Sequence, residues 1–246
     1  MTFKTDFNTF GEKAIIIDFK NITKNYNPPI AWKSELCLSI QKEFDDFLED
    51  VIFSLSEITF FFKISPTKNQ KQEIKNWIKN FSLNNQSIIR NIWKIPVCFD
   101  IAFSKDVFLK NKGDLILHEL YISEFLKCKF EVQHYGFLPG FFYLSGLPLK
   151  LYLPRKSSPE KSIDPGTIAV GESYAGIYPQ KSPGGWNRIG RTYYSFFNRK
   201  KNPPCFILPG DRVKFLPINL DEYQLEKKKN INEIKILKSS PFEIIY

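Results

Sequence analysis

Between Tyr135 and Thr192 glycine and proline recur so often that no stretch reads convincingly as helix. The segment contains Y-G-F-L-P-G-F-F-Y-L-S-G-L-P at Tyr135 to Pro148 and L-P-R-K-S-S-P at Leu153 to Pro159. It continues with D-P-G-T-I-A-V-G at Asp164 to Gly171, G-I-Y-P at Gly176 to Pro179 and S-P-G-G-W-N-R-I-G-R-T at Ser182 to Thr192. Glycine permits positive φ or close backbone approach and proline fixes its own φ, so such blocks specify loop shape, and shaped loops are where sites are built. The runs between them, Thr167 to Val170, Thr192 to Phe197 and Cys205 to Leu208, have the length of short strands. From Glu131 to Phe215 the pattern is that of an all-β barrel or sandwich, with Pro209 to Phe215 as a turn feeding a last strand.

The first part of the chain alternates strand and helix signals instead. Phe3, Phe7 and Phe10 suggest a short arm or strand, and Ala14 to Phe19 is an apolar run of strand length. After Pro28 and Pro29, the three- and four-residue spacing of Leu36, Ile40, Phe44, Phe47, Leu48 and Val51 predicts an amphipathic helix over Ile30 to Asp50. Strands are expected around Val51 to Leu55 and Ile58 to Ile64. A second helix is signalled by Ser65 as N-cap, Pro66 in the first turn, and Ile74, Trp77, Ile78 and Phe81 on one face. Ile88 to Phe99 reads as strand and Ser104 to Phe130 as mostly helical, interrupted at Gly113. From Asn219 the chain is polar, a loop or frayed helix, followed by an alternating edge-strand pattern at Ile234 to Lys238.

The net charge of +9 raises nucleic acid as a partner, since a basic surface gains by releasing phosphate counterions. The lysines are spread among asparagines rather than gathered on one binding element, and Lys227 to Lys229 is the one short run, so no nucleic-acid partner is expected. No apolar run reaches the roughly 20 residues of a membrane helix, and the first residues lack an apolar leader, which leads to the expectation of a cytoplasmic protein without a membrane partner. Cys37, Cys98, Cys128 and Cys205 are scattered and only His118 and His134 accompany them, which supports neither a metal site nor a disulfide framework.

Taken in order, the Tyr135 to Thr192 blocks resemble the C-terminal domain of the 5-oxoprolinase B-subunit family, which also includes the KipI-like histidine-kinase inhibitors and allophanate hydrolase subunit 1. I-P-V-C-F at Ile95 to Phe99 is similar to the family's domain junction, and Phe10 to Phe19 to its N-terminal strand. The resemblance implies an α+β protein: a ferredoxin-like α/β sandwich over 1–94, a cyclophilin-like β-barrel over 95–218, and a polar tail over 219–246. It implies opening of the 5-oxoproline lactam to glutamate together with the A and C subunits of the same enzyme. The implied cofactor is ATP with magnesium, held by this chain or by a partner. Inhibition of a sensor histidine kinase, and allophanate hydrolysis, are the alternatives that the same resemblance carries. With no P-loop and no complete nucleophile and base set, the chain is expected to be inactive alone.

ATP-coupled lactam opening needs cations and exposed N–H groups where phosphate charge develops. Arg155 and Tyr178 are the candidate catalytic residues: Arg155, fixed after Pro154, grips a carboxylate or phosphate or else makes a surface salt bridge, and Tyr178 donates its hydroxyl or merely finishes a strand. Gly136, Phe137, Pro139, Gly140, Tyr143, Gly176, Gly184, Gly185, Trp186 and Arg191 are the candidates for binding substrate or ATP. Arg188 and Lys181 lie beside them. Gly140 is also a barrel-corner glycine, Trp186 a core plug, and at least half of Phe137, Phe141, Phe142 and Tyr143 are core. His134 is a candidate base or a packed bystander. The chain departs from the family pattern at Phe125, Leu126 and Lys127, where a histidine and small hydroxylated residues are usual. It departs again at Tyr174 and Ala175, where a Gln-Thr pair is usual, and at Glu160, where the usual second Pro-Arg has become Pro-Glu.

Overall fold

The computed structural model describes residues 6–18, 29–81, 87–229 and 239–245. Two compact units are present, Met1–Ile89 with Glu243–Tyr246, and Arg90–Phe242. The protein is of mixed α/β architecture, each unit having its own sheet, helices and core.

In the first unit, β1 (Asp6–Phe10), β2 (Ala14–Asp18), β3 (Leu48–Phe53) and β4 (Glu57–Phe62) form an antiparallel sheet in the order β1-β2-β4-β3. Ile15 and Ile17 on β2 and Ile58, Phe60 and Phe62 on β4 alternate onto one face, as the two-residue strand period requires. They meet Trp32, Leu36 and Ile40 of α1 (Ile30–Glu43) and Ile74 and Ile78 of α2 (Lys68–Asn80) in one core. Helix α1 ends at Glu43, short of the Asp50 that spacing predicts. Phe44 leaves helical geometry at φ −115°, and Leu48 opens β3 opposite Phe62. Phe44 and Leu48 still enter the same core from a turn and a strand, which is why their spacing imitates a longer helix. The cap of α2 is Thr67 rather than Ser65: its Oγ1 accepts from Gln70 N while Gln70 Oε1 accepts from Thr67 N, a reciprocal capping box. Phe3, Phe19 and Pro28 lie outside the described residues.

Strand β5 runs unbroken over Ser87–Cys98, so the junction expected at Ile95 and Pro96 falls inside a strand, and the division into units lies at Ile89 and Arg90. A proline suggests a break, yet Pro96 stays extended opposite Leu216 and forfeits one donor.

In the second unit α3 (Ile101–Lys110) and α4 (Leu115–Leu126) precede the strands β6 (Phe130–Tyr135), β7 (Phe142–Ser145), β8 (Glu160–Ile163), β9 (Thr167–Gly171), β10 (Tyr174–Ile177), β11 (Ser182–Gly184), β12 (Asn187–Arg191) and β13 (Arg212–Ile218). Asp100 and Asp114 cap the two helices through their carboxylates. The large sheet has the order β12-β9-β10-β7-β6-β13-β5, followed by β14 (Ser239–Ile245), and β12 also pairs with β5 at Arg191 and Cys98, so the sheet returns on itself. β8 and β11 form a separate two-stranded ribbon. Buried Asp211 holds the entry to β13, accepting from Trp93 Nε1 at 2.7 Å and from Asn91 N and Leu208 N at 2.8 Å. The sheet has a double-sided character that positions the site. Phe142, Leu144, Ala175 and Ile177 face the main core, while Phe141, Tyr143, Tyr178 and Trp186 belong to a smaller aromatic cluster.

The polar stretch read as loop or frayed helix is α5 (Leu220–Lys229). Asn219 Oδ1 accepts from Glu222 N, Glu222 Oε2 accepts from Asn219 N, and Tyr223 is buried. The edge strand expected at Ile234 to Lys238 lies outside the described residues.

Candidate functional site

Phe137, Tyr143, Arg155, Tyr178, Gly184, Gly185 and Trp186 line one cavity of about 160 Å³, together with Phe141, Lys156 and Pro159. Seven of the twelve residues singled out in the sequence therefore converge. The walls are aromatic: Phe141 lies edge-on to Tyr143, Tyr178 and Trp186 at centroid distances of 5.1, 5.5 and 5.5 Å. Trp186 is a plug as well as a wall, because a Cβ at Gly171 would stand 2.4 Å from its Nε1 and one at Gly176 would stand 2.6 Å from Phe141 Cζ. Gly176 thus makes room for the wall and is not among the residues lining the cavity.

Tyr178 sits at the end of β10 with its ring buried, and burial pushes its hydroxyl up to about 12, against the opposing effects of a hydrogen bond to the Trp186 backbone and the nearby Arg155 charge. It is a phenol, a donor, at any ordinary pH. Space for it comes from Gly184, where an added Cβ would stand 2.3 Å from the Tyr178 hydroxyl oxygen. Phe137 is held at φ +65°, a strained position for a non-glycine residue, and leaves its ring exposed at the lip, edge-on to Phe141 and Tyr178. The turn that imposes this is closed by Leu138 N to Gly136 O at 2.7 Å and Phe141 N to Leu138 O at 2.9 Å.

Arg155 is half exposed and its Nε lies 3.6 Å from Glu172 Oε1, a loose surface pair that leaves the guanidinium available. Lys156 next to it was not anticipated. Its ammonium is 2.7 Å from Asp106 and 3.0 Å from Glu160, and its N–H donates to Gly185 O at 2.8 Å, tying the Arg155 loop to the Gly184 turn. Asp106, on the buried face of α3, also receives Arg188 in bidentate fashion, Nε to Oδ2 at 2.8 Å and Nη2 to Oδ1 at 3.1 Å, and the Arg188 N–H at 2.9 Å. Burial pushes the Asp106 carboxyl up, but the hydrogen bonds from Arg188 and Lys156 overcome it and hold it at about 2. Glu160, which takes the place of the expected arginine, accepts from Arg188 Nη2 at 3.3 Å and completes a neutral cluster of two cations and two anions below the loop.

The other candidates lie elsewhere. Arg191 lines a second cleft and bridges Asp164 at 2.9 Å. Gly140 (φ +81°) lets the chain pass Phe197, with 2.3 Å to an added Cβ, and Pro139 is exposed in the same turn. A Cβ added at Gly136 would stand 3.2 Å from the Tyr143 ring. His134 stacks on Tyr143 at 4.6 Å. His118 Nε2 is 2.7 Å from Ser104 Oγ, but Ser104 is wholly buried with its hydroxyl 2.9 Å from both Phe99 O and Asp100 O. Two carbonyls and the imidazole thus surround one buried hydroxyl, an interior hydrogen-bond cluster. Of the departures, Phe125 is core, against Phe130 and Phe215, Ala175 is buried, and Tyr174 lies edge-on to Tyr143.

The model of the carboxyltransferase domain, subdomain C and D, matches residues 5–207. The chain belongs to this family. It is 28% identical to the 5-oxoprolinase B subunit of Bacillus subtilis (strain 168), over 94% of this chain and 100% of that protein. It is 39% identical to the 5-oxoprolinase B subunit of Escherichia coli O157:H7, over 50% of this chain and 57% of that one. The solved urea carboxylase of Kluyveromyces lactis superposes with a TM-score of 0.72 at 15% identity, covering 99% of this chain and 24% of that one, a likeness of fold. Among the described residues no helix is long and apolar enough to cross a membrane, and no group of three or more His, Cys, Asp or Glu could hold a metal.

Proposed function

We propose that this chain is the B subunit of an ATP-dependent 5-oxoprolinase, opening the lactam to glutamate in the cytoplasm together with the A and C subunits. The observation that carries the reading is the convergence of Arg155, Lys156 and the Tyr178 hydroxyl on one small aromatic cavity. A five-membered lactam acid offers an apolar ring edge to the aromatic wall, a carboxylate to the cations and a carbonyl oxygen to a phenol donor. In this reading Arg155 grips the carboxylate, Tyr178 donates to the lactam oxygen, and Phe137 shields the mouth from water. The full-length similarity to the Bacillus subtilis protein supports the same assignment, and four unbridged cysteines suit a reducing compartment.

ATP supplies, when bound, the phosphoryl group that makes a stable amide oxygen a leaving group. The Arg155 cavity is too small for a nucleotide, and among the described residues no acidic cluster suits magnesium, which is left to the phosphates and the partner subunits. At the level of fold, we assign the first unit to a ferredoxin-like arrangement, with β1 in the place of the closing strand, and the second to a cyclophilin-like barrel. The β1-β2-β4-β3 order and the β12 to β5 pairing support these assignments.

The test is reconstitution. The chain alone is expected to release no glutamate from 5-oxoproline and ATP, and to do so on addition of the A and C subunits, with Arg155→Ala abolishing turnover while the complex still assembles. A complex that assembles normally yet stays inactive with the unmodified chain overturns the reading. It would favour the KipI-like one, a binding module acting on a histidine kinase, which the apolar character of Phe125, Tyr174 and Ala175 accommodates.

A further inference from the structure

A second cleft, of about 620 Å³, opens on the same unit and shares no lining residue with the aromatic cavity. Asp164, Lys181, Arg191, Tyr193, Tyr194 and Lys227 are among its lining residues, three cations against a single acidic side chain. The one carboxylate is already engaged, Asp164 Oδ2 accepting from Arg191 Nη2 at 2.9 Å. Arg191 is held rigidly: its guanidinium lies 4.7 Å above the Phe103 ring, and its side chain is 17% exposed. Its Nε is buried without a hydrogen-bond partner among the described residues, and the guanidinium also donates to the Tyr223 hydroxyl in the cleft wall. Lys181 and Lys227 stand exposed at the rim on two different elements, the loop after β10 and the helix α5.

The floor is built, not incidental. Gly166, at φ +77°, brings its N–H to Tyr178 O at 2.7 Å and its carbonyl to Thr192 N at 2.8 Å, and an added Cβ would stand 2.1 Å from Thr192 O. Tyr223 is buried at the base of α5 and fixes that wall. Tyr193 and Tyr194 stack on each other at 4.7 Å, both half-buried, and present ring surface in the lining. A cleft of this volume lies within the range of sites that enclose a small ligand. Cations of both kinds suit phosphate oxygens and tyrosine rings suit a flat base.

We propose that this cleft binds a phosphorylated ligand bearing an aromatic ring, of the nucleotide class, with Arg191, Lys181 and Lys227 on the phosphates and the tyrosine pair against the ring. The chain then has two sites of different chemistry on one unit, a small aromatic cavity for a ring acid and a larger cationic cleft for a nucleotide.

The experiment is calorimetric titration of the full chain alone, without metal, with ATP, ADP, tripolyphosphate and adenosine. ATP is expected to bind, tripolyphosphate to bind more weakly and adenosine weakest. The double variant Lys181→Ala, Lys227→Ala, whose side chains are exposed although Lys227 Nζ lies 5.8 Å from the Tyr223 ring centre, is expected to weaken ATP binding at least about tenfold, the loss of two phosphate contacts. Arg191→Gln should weaken it further, and Tyr193→Ala should narrow the difference between ATP and tripolyphosphate. Arg155→Ala should leave it unchanged. No binding at millimolar ATP, or binding lost with Arg155→Ala and kept in the double lysine variant, overturns the proposal. The oxoprolinase reading fails separately: reconstituted turnover without nucleotide binding to this chain removes only the cleft, whereas binding in an inactive complex removes only that reading.

Discussion

Each unit buries a charge on the inner face of a helix, and the two are held in opposite ways. In the first unit Lys33 of α1 is almost wholly buried, with Nζ donating to Leu55 O at 2.5 Å, and burial pushes its ammonium down to about 8, with nearby Cys37 opposing. In the second unit Asp106 of α3 is buried too, yet the bonds from Arg188 and Lys156 hold it ionised down to about 2. At Lys33 burial is the largest influence and lowers the pKa, whereas at Asp106 the bonds from two cations outweigh burial. The buried charge that stays ionised at ordinary pH lies under the Arg155 loop, where a fixed frame is needed. The one that can titrate lies in the other unit.

The largest expected effect comes from breaking the Asp106 cluster. Asp106→Ala leaves Arg188 and Lys156 buried against Glu160 alone, and removal of one partner from a buried pair costs about 3–5 kcal/mol. The second unit should melt on the order of 10 °C lower by calorimetry. A fall of only a degree or two would show that the cluster is solvated and that the contrast with Lys33 is overdrawn.

The next effect is a rise in stability with alkali. Because the folded pKa of Lys33 is lowered from 10.5 to about 8, the unfolded chain binds more protons between those values, and stability increases as pH rises through that window. The gain should be about 2–3 kcal/mol for the first unit, measured by denaturant unfolding at pH 8 and pH 10.5 and absent in Lys33→Met. Asp106 gives the mirror image at the acid end. Its folded pKa is depressed from 3.8 to about 2, so its contribution is complete above pH 4 and is lost as pH falls through 2, a loss of about 2 kcal/mol that Asp106→Asn should remove from the acid-unfolding curve.

These charges also mark how far the sequence could be read. The Gly and Pro blocks located the β half and brought Arg155, Tyr178, Gly184 and Trp186 to one cavity, because those residues shape loops locally. The meeting of Lys156, Asp106 and Glu160 is not legible in the sequence because it is tertiary: Asp106 is fifty positions ahead of Lys156 and belongs to another element. The available signal was a carboxylate one position before Val107 and three after Phe103, on the face of α3 that the apolar residues mark as buried. Arg191 does not line the Arg155 cavity, since β12 sends Arg188 toward the Asp106 cluster and Arg191, three residues on, toward Asp164. Helix α1 was overrun because Phe44 and Leu48 keep core spacing after the helix has stopped. Thr67 rather than Ser65 caps α2, and the signal for it is Gln70 three residues on, the partner of a capping box.

The smallest effect on stability should come from Arg155, and it sharpens the comparison most. Its ion pair to Glu172, at 3.6 Å, is exposed on both sides, so Arg155→Ala and Glu172→Ala should each shift unfolding by less than about 0.5 kcal/mol. Their effects on function should separate. Arg155→Ala removes the carboxylate grip and should abolish turnover of the reconstituted complex, while Glu172→Ala removes a competitor for the guanidinium and should leave kcat intact with KM equal or lower. Arg155→Lys keeps the charge but loses the planar fork and should recover only part of the activity, through KM. If Arg155→Ala destabilised the fold as much as Asp106→Ala does, Arg155 would belong to the frame rather than to the site, and the division between a fixed buried cluster and an available rim cation would collapse.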